Sequence, residues 1–243
     1  MNLRKYLKVY NKFLHTSLAS ELEYKTNILV DLITAILSLV GSIFLLSIFF
    51  QNSGYIGGWK FEQALIIQAI YTILNGITNT WFNPNLTEIV KHIREGTLDF
   101  VLLKPIDSQF FISLKKINPS GFLEIMLGFF LLLFCIRINQ INLSLSFLSL
   151  SLITISCSIC ILYSLWFFIS TTTIWFVKTW NAIEVIRSFL YIGRFPLNSF
   201  SFSLRVFFSI FIPIAFITTI PSCLLYTSPS PRDVVPSRMP SSA

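Results

Sequence analysis

Long apolar runs, separated by short polar segments, dominate the pattern along the chain. Six of these runs approach the roughly 20 residues that a helix, rising about 1.5 Å per residue, needs to cross about 30 Å of hydrocarbon. They cover residues 27–50, 61–79, 119–136, 143–168, 174–192 and 204–220. Unpaired backbone groups are costly in lipid, and no ten-residue alternating pattern indicates a barrel. The pattern therefore predicts an all-α, polytopic membrane protein with about six transmembrane helices.

The segment before the first apolar run has an amphipathic pattern. Its apolar residues recur at helical spacing opposite basic residues, which predicts a helix that lies on the membrane surface. The apolar positions are Leu3, Tyr6, Leu7, Tyr10, Phe13 and Leu14, and the basic positions are Arg4, Lys5, Lys8 and Lys12. No small-residue cleavage site follows the first apolar run, so we do not expect a cleavable signal.

Composition and charge predict the orientation. The chain is 54% hydrophobic and only 12% charged, with a formal net charge of +7. Five Lys or Arg residues precede the first span and five lie in the second loop, whereas the first and third loops hold one each. In that order they are Arg4, Lys5, Lys8, Lys12 and Lys25; Lys91, Arg94, Lys104, Lys115 and Lys116; Lys60; and Arg137. Because basic residues concentrate in cytoplasmic loops, we predict cytoplasmic termini and no role for this charge in nucleic-acid binding.

The last 21 residues have a composition that cannot pack or span. Five Ser and four Pro occupy nine of the positions 223–243, as in disordered segments. The segment resembles the translated sequencing-adaptor read-through that ends many assembled reading frames. We therefore predict a membrane domain over residues 1–222, with a truncated last span, and a non-native tail over 223–243. A genuine disordered tail is the alternative.

The second loop contains a charged helix. Asn85 precedes Glu88 at capping-box spacing, which predicts that Asn85 caps this helix. An apolar face then repeats at helical spacing, charged residues occupy the other side, and Gly96 is placed to end the helix. The apolar positions are Leu86, Ile89, Val90 and Ile93, and the charged positions are Glu88, Lys91, Arg94 and Glu95. A second apolar piece ends at Pro105, and composition alone leaves open that both pieces merely connect two spans.

Four polar residues form one stripe along the second apolar run. Gln68, Thr72, Asn75 and Asn79 recur at i, i+4, i+7 and i+11. Polar side chains are expensive in lipid, so each needs a reason. Two interpretations stay open, because the stripe can line a substrate path or can hydrogen-bond to neighbouring helices.

The remaining chemistry of the spans is interpreted as structural. Charged residues near the ends of spans are predicted to snorkel or to be offset by nearby opposite charges, and a proton relay through Asp31 and Glu124 is the alternative. The predicted pairs are Asp31 with Lys25, Glu124 with Lys116, and Glu184 with Arg187. Cys135, Cys157 and Cys160 are interpreted as small buried packing residues, since no second ligand pair accompanies them. His15 and His92 have no carboxylate or cysteine cluster around them, so no metal site is expected.

Four segments carry a family resemblance, in order along the chain. They read IGGWKFEQALIIQAIY at 56–71, IREGTLDFVLLKP at 93–105, RFPLNSF at 194–200 and FIPIAFITTIP at 211–221. The most specific element is the register of Arg94, Gly96, Leu98, Asp99, Leu102 and Pro105. Over about residues 1–222 the chain resembles the membrane subunits of ATP-binding-cassette exporters, specifically the type-2 permease family.

The resemblance implies that residues 86–105 act as a coupling helix, which docks in a cleft of an ATPase subunit and transmits its closure to the spans. The implied coupling and docking residues are Glu88, Lys91, Arg94, Glu95, Gly96, Asp99 and Pro105. Charge complementarity would set the register of this docking. Re-entrant helices between the last two spans are also implied, although the sequence leaves open whether residues 194–202 dip into the membrane.

The partners follow from what the chain lacks. It has no G-x-x-x-x-G-K-[ST] phosphate loop, so ATP and Mg²⁺ are expected on a separate ATPase subunit, with no cofactor and no enzymatic activity on this chain. The resemblance implies an exporter permease in a prokaryotic plasma membrane that dimerises with itself or with a second permease. The alternative is a membrane-integral scaffold or assembly factor without transport activity. A membrane-embedded enzyme is disfavoured, because no catalytic constellation can be assembled from the spans.

Overall fold

Helices joined by short turns make up the part of the chain that the computed structural model describes, residues 3–23, 25–139, 145–175 and 180–226. The α-helices are α1 (Leu3–Glu23), α2 (Lys25–Ser53), α3 (Phe61–Ile77), α4 (Asn83–Arg94), α5 (Leu98–Leu102), α6 (Ser108–Leu114), α7 (Ser120–Ile138), α8 (Leu145–Thr172), α9 (Trp180–Tyr191), α10 (Phe202–Ile210) and α11 (Ile220–Tyr226). Thr78–Phe82 and Ala215–Thr219 are π-helical turns, and Ile192–Arg194 and Leu197–Ser199 are 3₁₀ turns. Within these ranges the only extended pairing is one bridge between Ile56 and Trp59, so the predicted all-α class is confirmed.

Three of the described helices are long and apolar enough to cross a membrane. They are Thr26–Gln51, Ser120–Ile138 and Leu148–Thr172, which lie within α2, α7 and α8 and match the first, third and fourth predicted spans. The bent pair Phe202–Ile210 and Ala215–Leu225 adds a fourth crossing if it is taken as one span. The chain is therefore polytopic, as predicted, while the number of six spans stays a prediction.

α3 and α7 make the most extensive helix contact in the described fold, and glycines allow their close approach. A Cβ on Gly76 would lie 2.7 Å from the backbone nitrogen of Ile125, and one on Gly128 would lie 2.8 Å from that of Ile73. Small residues at such crossings let helix backbones pack closely, which drives association where lipid is as apolar as the helices. This packing helps to enclose α3, whose buried residues include Ile66, Ile67, Ile70 and Leu74.

The predicted start of the charged helix at Asn85 is wrong, because α3 continues through the π-helical turn Thr78–Phe82 directly into α4. Pro84 has no backbone N–H and cannot donate to the carbonyl of Thr80, its usual helical partner. The N–H of Asn118, just before α7, donates to that carbonyl at 3.0 Å. The charged helix is therefore an extension of the second predicted span, and not a separately capped helix.

The fifth predicted span is described only in part, and the sixth is a bent pair of helical segments and not one straight helix. α9 has 12 residues, about 18 Å at helical rise, and is followed by the two 3₁₀ turns. After α10 the chain bends by 81° before it continues into the last helical segment. Pro213 lies at this bend, where it interrupts the helical hydrogen-bond pattern. Residues 176–179, part of the fifth predicted span, lie outside the described residues.

A glycine turn connects α2 to α3 at the opposite end of α3 from the charged loop. Gly57 and Gly58 have φ values of +58° and +84°, a conformation that residues with a side chain rarely adopt. Ile56 and Trp59 exchange backbone hydrogen bonds of 3.1 and 3.0 Å across the turn. A Cβ on Gly57 would also lie 2.7 Å from the backbone carbonyl carbon of Asn198. Glycine is thus required both by the turn and by the 3₁₀ turn packed against it.

α1 is a helix, as predicted, and it packs on the charged-loop end of the bundle. The rings of Tyr6 and Phe110 meet edge to face with centroids 4.8 Å apart. Trp81 Nε1 donates to the Tyr10 hydroxyl at 3.3 Å. Leu7 remains 55% exposed, which leaves apolar surface for lipid. The location of α1 on a membrane surface stays a prediction.

Candidate functional site

The charged face of α4 contains both exposed and enclosed side chains. Lys91, Arg94 and Glu95 are exposed, and Lys91 Nζ lies 3.9 Å from Glu95 Oε1. The Glu88 side chain is only 17% exposed. Glu88 therefore makes a bracing contact within the chain, and the docking role that the resemblance implied for it stays a prediction.

Glu88 holds α4 against the connection between α6 and α7. Its Oε1 lies 3.0 Å from Lys115 Nζ, 3.4 Å from Lys116 Nζ and 3.7 Å from His92 Nε2. Burial alone would raise the pKa of Glu88, but hydrogen bonds and charges from Lys115 and Lys116 outweigh burial and hold the pKa below its ordinary value,. The carboxylate is therefore ionised at neutral pH and joins two segments that are distant in sequence.

Asn85 makes a second connection at the same place. Its Nδ2 donates to the carbonyl of Lys116 at 2.6 Å, and its Oδ1 accepts from the N–H of Lys116 at 2.8 Å. Asn85 is 1% exposed, so both backbone groups of Lys116 are satisfied in a buried setting. Sequence reasoning interpreted Asn85 as a cap. The available signal was its position four residues before Ile89, on the predicted apolar face.

The end of α4 is as predicted. Gly96 has a φ of +66°, and the N–H of Thr97 donates to the carbonyl of His92 at 2.9 Å. This is the left-handed glycine ending that satisfies the last carbonyls of a helix. Asp99 is exposed in the first turn of α5 and is not its N-cap, since Thr97 occupies that position. Pro105, beyond α5, is also exposed.

α5 and the residue after it carry apolar side chains that remain exposed in the described fold. Phe100 is 70% exposed, Leu102 53% and Leu103 79%, and we call these three residues the apolar tip. Sequence reasoning recorded this run only as an apolar piece of the loop. Its signal was an uninterrupted apolar run between Asp99 and Lys104, at the end of the chain's most charged loop. Exposed apolar clusters of this kind mark interaction surfaces.

The polar stripe on α3 divides into two halves. Gln68 and Thr72 are buried and bond within the helix, where the Thr72 hydroxyl donates to the Gln68 carbonyl at 2.8 Å. Asn75 Nδ2 donates to Glu124 Oε2 at 2.6 Å, and Asn79 Nδ2 donates to Glu124 Oε1 at 3.0 Å. The bonds of this second half reach α7 from α3 and from the π-helical turn that follows α3. They favour the helix-packing interpretation, and a substrate path along the stripe stays a prediction.

Of the three predicted ion pairs, one is wrong and one is confirmed. Glu124 bonds to the amides of Asn75 and Asn79, whereas Lys116 pairs with the carboxylate of Glu88, so their predicted pairing fails. Glu184 Oε1 lies 3.2 Å from Arg187 Nη1, as predicted. The third pair involves Lys25, whose side chain lies outside the described residues.

Arg194 is the buried charge that sequence reasoning missed. The sequence predicted no role for it, yet it is 6% exposed. Its Nη1 donates to the hydroxyls of Ser42 and Tyr191, the latter at 2.6 Å. The guanidinium carbon also lies 3.4 Å from the centroid of the Tyr191 ring and 4.8 Å from that of Tyr71. These contacts hold the first 3₁₀ turn against α2 and α3.

The two cysteines on α8 are not buried as predicted, whereas the cysteine on α7 is. Cys135 is 1% exposed, as predicted, but Cys157 and Cys160 are exposed. α8 turns a different face to the protein, and this face carries Ser158 and Leu162, which are 0% and 3% exposed. The interpretation of Cys157 and Cys160 as buried packing residues is therefore wrong.

Together, the apolar helices and the braced charged extension define a multi-pass integral membrane protein with an exposed element at one end. The family model for "ABC-2 family transporter protein" matches residues 36–242. This match covers most of the chain, so the chain belongs to the ABC-2 transporter family. No curated protein and no solved structure matches the chain significantly. The matched range includes most of 223–243, and the non-native origin of that segment stays a prediction.

Proposed function

We propose that the chain is the transmembrane permease subunit of an ATP-driven exporter and that α4 and α5 couple a separate ATPase subunit to the spans. Membership of the ABC-2 transporter family supports a permease subunit of an ABC transporter. The coupling role rests on one observation, the braced connection from α3 through α4 to the exposed apolar tip. ATP and Mg²⁺ would be bound by the partner ATPase.

A coupling element must move as one piece with the spans. α4 continues from α3, and Asn85 and Glu88 tie it to the segment before α7. α7 in turn packs on α3 through Gly76 and Gly128. A displacement applied to the end of α4 would therefore reach both helices. This supports alternating access, in which closure of the ATPases reorients the spans.

The apolar tip is the part of this element that fits a protein partner. Interface cores are enriched in aromatic and apolar side chains, and charged residues form the rim. Here Phe100 and Leu103 supply the apolar centre, with Asp99 and Lys104 beside them in sequence. We therefore propose that the main docking contact lies on the apolar tip and not on the charged face of α4.

The test is a pull-down of the detergent-solubilised full chain against the ATPase encoded beside it. We expect the Phe100→Ser/Leu103→Ser variant to lose binding by about tenfold or more, because central apolar anchors contribute about 2 kcal/mol or more each. The matched control is Leu7→Ser/Leu18→Ser, which changes two exposed apolar residues on α1.

If the folded wild type binds no ATPase, the exporter proposal fails and the scaffold alternative takes its place. If the wild type binds and the tip variant binds equally well, the docking surface lies elsewhere. Thermal unfolding of both variants in detergent separates loss of docking from loss of folding.

A further inference from the structure

A cleft of about 750 Å³ opens beside α4 and reaches the segment before α7. α4 contributes Asn83, Thr87, Lys91 and Arg94 to its walls, and the facing segment contributes Lys116 and Asn118. This volume lies within the usual range for ligand sites, about 300–1,000 Å³. The charged face of α4 therefore lines a cleft, whereas the apolar tip lies on α5.

The cleft has a surplus of positive charge. Three basic side chains line it together with two carboxylates, Glu88 and Glu95. Glu88 is already compensated by Lys115, which lies outside the lining. Lys91 lies 3.9 Å from Glu95, and an exposed ion pair of this kind is weak. Arg94 makes no ion pair with any residue that the structure describes, so its guanidinium is available.

The amides of the cleft are oriented as hydrogen-bond donors. Asn83 Oδ1 accepts from Arg187 Nη2 at 3.0 Å. Asn118 Oδ1 accepts from the N–H and hydroxyl of Ser120 at 3.1 and 2.8 Å. Because both Oδ1 atoms already accept hydrogen bonds, the Nδ2 group of each residue is the one that can donate to a ligand. Cationic groups with N–H donors match the oxygens of a phosphate.

The location of the cleft favours an amphiphile. Its lining includes Asn79, which lies in the π-helical turn that also holds Trp81, and tryptophan is typical of the membrane–water interface. α7 begins two residues after Asn118, at Ser120, and its Phe122 and Met126 are 38% and 69% exposed. A head group in the cleft would therefore leave its apolar chains beside apolar protein surface. Basic pockets on the cytoplasmic side of helices are suited to anionic lipid head groups.

We propose that this cleft binds the phosphate-bearing head group of an anionic amphiphile from the cytoplasmic leaflet and that the substrate of the transporter belongs to this chemical class. The assignment of this ligand as the transported substrate rests on the proposed exporter function, whereas the binding site rests on the geometry of the cleft alone. Arg94 provides an unpaired positive charge, Lys91 provides a second one that is held only by the exposed pair with Glu95, and Asn83 and Asn118 provide oriented donors. Lys116 links the site to the brace on Glu88.

The test is a calorimetric titration of the detergent-solubilised full chain with dihexanoyl-phosphatidylglycerol, dihexanoyl-phosphatidylcholine and inorganic phosphate. We expect the wild type to bind the glycerol lipid about tenfold or more tightly than the choline lipid, with affinity falling as salt rises. Lys91→Gln/Arg94→Gln should lose about tenfold of that affinity. Lys8→Gln/Lys12→Gln, which removes two exposed charges from α1, is the matched control and should change binding by less than about threefold.

Equal affinity for the two lipids, or unchanged binding by Lys91→Gln/Arg94→Gln, would overturn the proposal. Inorganic phosphate that binds as tightly as the glycerol lipid would show a free-phosphate site, and would overturn it too. The same variants in the ATPase pull-down separate the two proposals. If Lys91→Gln/Arg94→Gln loses lipid binding but still binds the ATPase, the cleft site is supported. If only Phe100→Ser/Leu103→Ser loses ATPase binding, that result concerns the docking proposal and not the cleft.

Discussion

Single side chains in this protein derive their roles from partners that are remote in the chain. Glu88 pairs with Lys115 and Lys116, and its carboxylate is held in the charged form by them. Asn85 pairs with the backbone of Lys116 across 31 positions. Glu124 accepts hydrogen bonds from amides of α3 and of the π-helical turn that follows it. In each case a polar group that would be costly when buried alone is satisfied by a partner on another helix.

The lowered pKa of Glu88 predicts a pH-dependent stability. Its folded pKa lies below the ordinary value of 4.5, so its contribution is present above pH 4.5 and is lost as pH falls through the folded pKa. We expect Glu88→Gln to unfold about 1 kcal/mol more easily at pH 7, after allowance for solvent screening. Thermal unfolding of both proteins from pH 7 to pH 3 should show this difference shrinking below pH 4.5. A difference that stays constant with pH would mean that the charge of Glu88 does not carry the stabilisation.

At the scale of elements, the fold depends on how closely α3 and α7 approach. Gly76, Gly121 and Gly128 lie where a Cβ would meet backbone atoms of the opposite helix at under 3.0 Å. The polar bonds to Glu124 cross the same contact. Close packing and hydrogen bonding together hold two helices that lipid by itself would not drive together.

Gly128→Val should destabilise the protein through this contact. The added side chain would meet the backbone nitrogen of Ile73, and overpacking of this kind costs about 1–3 kcal/mol. Gly41→Val is the matched control, because Gly41 also lies in a spanning helix but has nothing within 4 Å of its Cβ position. Thermal unfolding in detergent should show a lower transition temperature for Gly128→Val only. Equal loss in both variants would assign the effect to valine in a helix, and not to the contact.

At the scale of the whole molecule, the braces make one mechanical unit from the charged loop and the central helices. α3, α4 and α7 are linked by the continuous helix, by Asn85 and by the bond from Asn118 to Thr80. α1 lies against the same end through Tyr6 and Trp81. These contacts tie the charged-loop end of the bundle to its central helices.

Removing one brace should loosen the loop without unfolding the bundle. We expect Asn85→Ala to raise the hydrogen-exchange rate of α4 amides by about tenfold, because a buried hydrogen-bond pair contributes about 1–3 kcal/mol. Asn11→Ala, at an exposed position on α1, serves as the control. Exchange measured by mass spectrometry on the full chain in detergent tests this. If α4 of Asn85→Ala exchanges as slowly as in wild type, Asn85 does not determine the stiffness of the loop.

The hydrophobic pattern by itself determined the all-α, polytopic character, three of the spans, the helical state of α1 and the end of α4 at Gly96. These features depend on run length and local backbone preference, both of which are visible within a few turns of sequence. The pattern failed where a proline or a distant partner intervened. Pro84 and Pro213 changed how helices continue, and neither outcome follows from hydropathy.

Only the tertiary structure decided what the polar residues do. Asn85 became a brace, Glu88 an internal ion pair, Glu124 a bond between α3 and α7, and Arg194 a buried anchor against Ser42. It also decided that Lys91 and Arg94 line a cleft while the apolar tip stays exposed. The physical reason is that the free energy of a polar group depends on its partner and its burial. Here both are set by helices that lie far apart in sequence.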